Sequence, residues 1–349
     1  MFTFAGVREV HLELTARCNA SCPQCPRNDY GGPVNPELPL AELSLDDVRA
    51  IFPPQVVAQL EHVFVCGNYG DAMVARDALE CFAYLRAQNP AMRLMLDTNG
   101  SGRTPEWWSA LAKLGVRVRF GIDGLEDTNH LYRRGAQWAR VMDATRAFIA
   151  AGGDAVWSFI VFRHNEHQVE AAKARSVELG FREFIARRTY RFASGDRMSV
   201  RSRDGAIEYD LEMPIGEAWQ NRAMTSLVKL STEERRARLD GAPIECQSIA
   251  SRHIYVSAEG LVFPCCHTGH LYARDERAAE MNALVAAHGG KQAIDARRVP
   301  LATIVEGPLF RAIAGGWSRS LGDGRLGICA TVCGATRDMF SKKQVDVRL

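Results

Sequence analysis

The run Leu12-Glu13-Leu14-Thr15-Ala16-Arg17-Cys18-Asn19-Ala20-Ser21-Cys22-Pro23-Gln24-Cys25 limits this chain more than any other stretch. It puts three cysteines in a short loop directly after an apolar, strand-like segment. Thiolates this close together read as metal ligands. Two soft-metal readings compete. A structural zinc ion completes its tetrahedron with a fourth protein ligand, and this loop offers three. A 4Fe-4S cluster has four corner irons, so three cysteines leave one iron open to something other than protein.

The chain of 349 residues, 47% apolar and 24% charged, can bury one large core plus a smaller appendage. A net charge of +2 gives no clear nucleic-acid signal and no field to hold an anionic membrane. With no long apolar span and no signal peptide, the expectation is a cytoplasmic protein. Eight of the ten cysteines fall in two groups with ligand-like spacing, which fits bound metal in a reducing compartment better than disulfides.

Val7 to Thr15 alternates as a strand, Ser44 opens a helix with carboxylates in its first turn, and Pro53-Pro54 breaks or restarts it. Short β-rich runs follow at 61–66, 92–97, 116–121, 155–162 and 183–186, alternating with helical patterns near 75–88, 104–114, 138–151 and 166–179. Six strand-helix alternations imply an α/β fold with a parallel sheet. From Ser194 to Gly241 the pattern degrades into Arg-, Gly- and Glu-rich sequence with one helical patch near 216–240, read as a bridge between domains. The expected division is 1–195, 196–241 and 242–349.

The C-x3-C-x2-C spacing after a first strand resembles the radical S-adenosylmethionine (radical SAM) superfamily. That resemblance implies an open, partial (β/α)6 TIM-type barrel and a 4Fe-4S cluster on Cys18, Cys22 and Cys25 whose open iron chelates SAM. Gln24 departs from the family, which often has an aromatic residue there to pack on adenine. Gly67-Asn68-Tyr69-Gly70-Asp71 stands where relatives carry a glycine-rich turn that binds the SAM amino group, with Asp71 in place of the commoner Glu. Asn99 and Asp123, at the ends of the third and fourth strands, stand where relatives meet ribose and the methionyl carboxylate, and both also suit plain Asx turns. Gly121 stands where Ser is frequent, which implies a missing contact. Arg133 matches a family arginine to the SAM carboxylate, or makes a surface salt bridge.

Arg187, Arg188, Arg191, Arg197, Arg201 and Arg203 cluster after the sixth strand against Asp196 alone. They suit an anionic substrate or form a solvated basic loop. His164 and His167 are either acid-base groups or helix-start residues.

Cys246, Gly260 and Cys265 follow a C-x13-G-x4-C pattern that reads as a β-hairpin turning at Glu259-Gly260, and Cys329 and Cys333 lie downstream. The set resembles the SPASM or twitch extension of radical SAM enzymes, with too few cysteines for two clusters, so the resemblance implies a small C-terminal twitch-like domain with one auxiliary 4Fe-4S cluster. A zinc ribbon is the other reading. Cys266 is surplus, a substitute ligand, a buried thiol or a hydrogen-atom donor. Cys66 and Cys81 read as small apolar residues.

Together these features imply an enzyme that reductively cleaves SAM to a 5'-deoxyadenosyl radical and abstracts a hydrogen atom from a substrate. The auxiliary cluster is expected in electron transfer, with flavodoxin or ferredoxin as donor. Many peptide-modifying relatives carry a leader-binding domain ahead of the barrel, and here the first strand begins within ten residues of Met1. A small molecule is therefore the expected substrate, a peptide the alternative, and a zinc-binding interaction protein the rival from another class.

Overall fold

A computed structural model describes residues 2–192, 195–221, 230–273, 276–335 and 346–348. The barrel strands are β1 (Glu9–Leu12), β2 (His62–Val65), β3 (Arg93–Thr98), β4 (Val116–Gly121), β5 (Ala155–Val161) and β6 (Glu183–Arg188), all paired in parallel in sequence order. Between them run α1 (Leu45–Ile51), α2 (Pro54–Gln59), α3 (Ala78–Gln88), α4 (Pro105–Lys113), α5 (Asn129–Tyr132), α6 (Trp138–Ala150) and α7 (Val169–Glu178). This is the partial barrel expected from the alternation of strands and helices.

Local chemistry sets the element boundaries. Ser44 and Asp47 form a reciprocal capping box at the start of α1, a device worth about 1 kcal/mol. Pro54, whose fixed φ suits a first helical turn, restarts the chain as α2. Thr104 caps α4 and Pro105 opens it, after which Trp108 and Leu111 turn inward onto Phe120 and Phe148. In β4, Val116, Val118 and Phe120 pack under the helices, while Arg117, Arg119 and Gly121 occupy the alternate positions.

The sheet is longer than six strands. Strand β9 (His253–Val256) pairs in parallel with β1, with Glu9 opposite His253, and β10 (Val262–Phe263) returns antiparallel beside it through the turn expected at Glu259-Gly260. At the far edge β11 (Asp346–Arg348) runs antiparallel to β6. The resulting order is β10-β9-β1-β2-β3-β4-β5-β6-β11.

The segment after β6 is more than a bridge. It contains an antiparallel hairpin, β7 (Arg197–Arg201) and β8 (Ile207–Glu212). Val200 and Leu211 bury against Tyr132, Phe162 and Phe192, with Cys22 packed on the same cluster. Charged rim pairs, Arg134 with Glu208 at 2.6 Å and Arg201 with Asp29 at 3.8 Å, add under about 1 kcal/mol each. A helix covers Thr232–Gly241, and residues 222–229 of the expected helical patch lie outside the described residues.

Candidate active site at the strand C-termini

Cys18, Cys22 and Cys25 leave the end of β1 on one loop and line an open cavity of about 1540 Å³ at the C-terminal ends of the strands. Burial pushes all three thiols up, Cys22 to about 11 against the pull of Arg133. Free of metal they stay protonated, so a bound metal must displace protons.

The Gly67–Asp71 turn lines the same cavity, and Glu13 holds it in place. Glu13, only 1% exposed, accepts the Tyr69 N–H at 2.8 Å and the Gly70 N–H at 3.1 Å, and its other oxygen accepts the Tyr255 hydroxyl at 2.5 Å. Burial raises its pKa, and these three donors oppose that rise. A Cβ on Gly70 would overlap the Thr15 carbonyl, so only glycine lets the turn lie against the cysteine loop. Sequence reasoning passed over Glu13. The signal was an acid between Leu12 and Leu14 in an apolar strand.

Asp71 commits its carboxylate inside the protein. One oxygen accepts from Met73 N at 3.1 Å, and the other from Thr98 Oγ1 at 3.1 Å, Asn99 N at 2.8 Å and Asn99 Nδ2 at 2.8 Å. It thereby sets Asn99, whose amide also reaches Asn19 Oδ1 at 2.9 Å and approaches Cys18 Sγ at 3.8 Å. Asp123 is fully buried and accepts from Arg133 Nε and Ile160 N, each at 2.5 Å. Burial opposes the Arg133 charge, and the Asp123 carboxylate more than offsets it, holding the pKa above its ordinary value. Arg133 Nη1 then lies 3.8 Å from Cys22 Sγ, so this arginine belongs to the cavity and not to a surface ion pair.

Arg119 and Arg187 also line the cavity, Arg119 paired with Asp97 in the same lining and Arg187 with Asp346 outside it. Arg188 and Arg191 also line it. Arg197 and Arg201 belong instead to the hairpin and its ion pairs, and Arg203 is not part of the lining. Neither His164 nor His167 reaches the cavity. His164 stacks on Phe162, and burial lowers its pKa to about 4.

Cys246, Cys265, Cys329 and Cys333 line a second, small cavity walled by Ile244, Ile313, Trp317 and Val332. A hydrogen bond between Cys333 and Cys246 holds the Cys246 thiol below its ordinary pKa and pushes Cys333 up. The adjacent cysteines diverge. Cys265 faces this small cavity, whereas Cys266 faces the large one together with Cys66. Among the described residues no three His, Cys, Asp or Glu converge on one metal ion. The thiols of the two groups line two separate cavities.

Residues 12–174 match the family model described as the Radical SAM superfamily. The fold resembles SuiB of Streptococcus suis bound to precursor peptide SuiA, with a TM-score of 0.56 and 13% identity over 87% of this chain and 66% of that one. SuiB bound to S-adenosylmethionine gives 0.54 and 13% over 92% and 70%. The enzyme anSMEcpe with bound AdoMet gives 0.55 and 12% over 89% and 81%. This chain thus spans about two thirds of the length of SuiB. No curated protein matches the sequence.

Proposed function

Since this chain carries a Radical SAM superfamily domain at residues 12–174 and is an enzyme of that class, we propose that it removes a hydrogen atom from a small polar substrate bound in the large cavity. The observation that carries this reading is the convergence on that cavity of three thiols from one loop, the Gly67–Asp71 turn, Asn99 and Arg133. Cys18, Cys22 and Cys25 would hold a 4Fe-4S cluster with one iron left for SAM. When bound, cluster and SAM supply an electron and a 5'-deoxyadenosyl radical. The protein's share is positioning and exclusion. Arg133, fixed by Asp123, presents its cation beside Cys22, and the Gly67–Asp71 turn offers backbone groups to the same cavity. The hairpin packs apolar residues over Cys22 and keeps water from that face. Asp97, Arg119, Arg187 and Ser158 give the cavity the polar lining a hydroxyl-, amine- or carboxylate-bearing substrate needs.

Cys246, Cys265, Cys329 and Cys333 would hold an auxiliary 4Fe-4S cluster, closed to substrate because every iron has a protein ligand. It would take the electron that a product radical must lose to become a closed-shell product. The test is anaerobic incubation of the reconstituted enzyme with a reductant, SAM and either a metabolite extract or candidate peptides. Formation of 5'-deoxyadenosine coupled to a mass change in a small molecule is expected. Coupling to peptides alone would replace the small-molecule reading. Replacing Cys18, Cys22 and Cys25 together with Ala should remove about four irons per chain and all SAM cleavage, and cleavage retained by that variant would sink the assignment.

A further inference from the structure

Arg119 and Arg187 sit on the inner face of the barrel, where a closed core would be apolar. Residues paired in parallel register share a face, so the pairs Gly121–Ser158 and Ile160–Arg187 put Arg119, Ser158 and Arg187 on one face of the neighbouring strands β4, β5 and β6. All three line the large cavity. Ser158 falls between Val156, which pairs with Arg119, and Ile160, which pairs with Arg187. A short hydroxyl thus stands between two long cationic side chains.

Each arginine is gripped from one side. Arg119 donates through Nη2 to Asp97, and its guanidinium carbon lies 5.6 Å from the centre of the Phe64 ring. Arg187 donates through Nε to Asp346 Oδ1 at 3.0 Å. Among the described residues no acceptor meets Nε or Nη1 of Arg119, either Nη of Arg187 or the Ser158 hydroxyl, and none of these atoms is among the sealed, unpartnered polar atoms of the interior. The two side chains keep 17% and 27% of their surface exposed. Burial opposes the Arg119 charge, Asp97 more than offsets it, and Asp346 adds to the same effect, so the two ion pairs act on one another.

We propose that Arg119, Arg187 and Ser158 hold a carboxylate of the substrate, so that the compound processed in this cavity is an organic acid. The inference narrows the small polar substrate proposed above and rests on that substrate entering the large cavity. The open guanidinium groups only donate, so their ligand accepts, and their planar forks match the paired oxygens of a carboxylate. Asp97 and Asp346 decide between carboxylate and phosphate. With both aspartates in place the two pairs are formally neutral. A singly charged carboxylate gains charge-assisted hydrogen bonds there, whereas a phosphate ester, close to a dianion, meets about twice the repulsion from the same two aspartates. Arg133, beside Cys22, is left for SAM.

The experiment titrates cluster-loaded protein, with SAM already bound so that its own sites are filled, with butanoate, butanamide and butyl phosphate, read anaerobically by ligand-observed NMR. Wild type should bind butanoate about tenfold more tightly than butanamide, the worth of a charge-assisted hydrogen bond, and more tightly than butyl phosphate. Arg119→Met and Arg187→Met should each bring butanoate close to butanamide, with SAM affinity and iron content unchanged. Ser158→Ala should cost butanoate roughly threefold. Where a Met variant does not fold, Arg119→Lys or Arg187→Lys keeps the ion pair, replaces the fork by a single point and should still lose most of the preference. The proposal fails if wild type binds butanoate no better than butanamide, if butyl phosphate binds more tightly than butanoate, or if the preference survives in both arginine variants. It fails equally if SAM affinity falls with the preference, because the arginines would then serve SAM. Wild type that binds no SAM would instead overturn the cofactor reading, and that result is read before any probe is added.

Discussion

The Arg133 guanidinium fills the space that a side chain at position 121 would occupy: a Cβ built on Gly121 overlaps Arg133 Nη2. The sequence suggested a missing contact at Gly121. The protein has exchanged it for an arginine that reaches across from the C-terminal end of α5, held by Asp123 and lying beside Cys22.

Gly121→Ser should therefore displace Arg133 while leaving the strand intact, because the atom it meets is the end of a long side chain. SAM affinity is expected to fall about tenfold, roughly 1.4 kcal/mol, with iron content unchanged. Anaerobic calorimetry beside an iron assay reads both, and undiminished affinity would mean that Arg133 does not depend on the vacancy.

Glu13 gives a stability prediction. Glu13→Ala strands the Tyr69 and Gly70 N–H groups and the Tyr255 hydroxyl in a buried site, so unfolding free energy should drop by about 3 kcal/mol. Glu13→Gln keeps an acceptor for part of that set and should lose about half as much. Urea denaturation of the two variants decides it, and equal losses would show that the charge matters and not the acceptor geometry.

His253, at the start of β9, carries a pH dependence. Burial lowers its pKa to about 4, His11 lowers it further and Glu9 opposes, while its two ring nitrogens meet Ser248 Oγ at 3.1 Å and Ser251 Oγ at 2.6 Å. The unfolded chain binds this proton near pH 6.5, the folded one near 4, so the stabilising effect of neutral His253 is complete above 6.5 and is lost as pH falls toward 4. At pH 5 the loss is about 2 kcal/mol relative to pH 7. His253→Gln should flatten that part of the pH profile in urea unfolding, and an unaltered slope would assign it to other groups.

Cys329→Ala with Cys333→Ala should remove about four irons and leave the SAM-binding loop loaded. Such a variant is expected to form 5'-deoxyadenosine yet fail to release oxidised product. Normal turnover in protein shown to lack the second cluster would give that cluster a structural role alone.

Much of the barrel was legible because parallel strands buried on both faces write themselves as apolar runs, such as Val63 to Val65 and Ala155 to Val161, separated by amphipathic helices. The cysteines were legible by spacing. The pairings of β9 with β1 and of β11 with β6 were not, since nothing local marks which distant strand will complete an edge. The β7–β8 hairpin was missed for another reason. Its period-two pattern, Met198 and Val200 against Tyr209 and Leu211, with a Gly205 turn, is present but interleaved with arginines and acids that read as solvated loop. In the site, Cys18, Cys22, Cys25, Asp71, Asn99 and Arg133 all line one cavity. The Asp71 carboxylate also accepts hydrogen bonds from Thr98, Asn99 and Met73, a network that no local sequence pattern signals. The hydrogen bonds that Thr189 and Arg191 donate to Gln24 span more than 160 residues, 165 for the shorter link, and leave no trace in spacing.

The junction of β9 with β1 has a consequence for assembly in time. The Tyr255 hydroxyl reaches Glu13 across 242 residues of sequence, so the turn that faces the cysteine loop gains this support only once almost three quarters of the chain exists. Contacts of such separation form late, and a ribosome delivering N-terminal strands first leaves β1 with a bare edge meanwhile. Docking of β9 is the event that closes that edge, on the strand from whose end the loop of Cys18, Cys22 and Cys25 leaves.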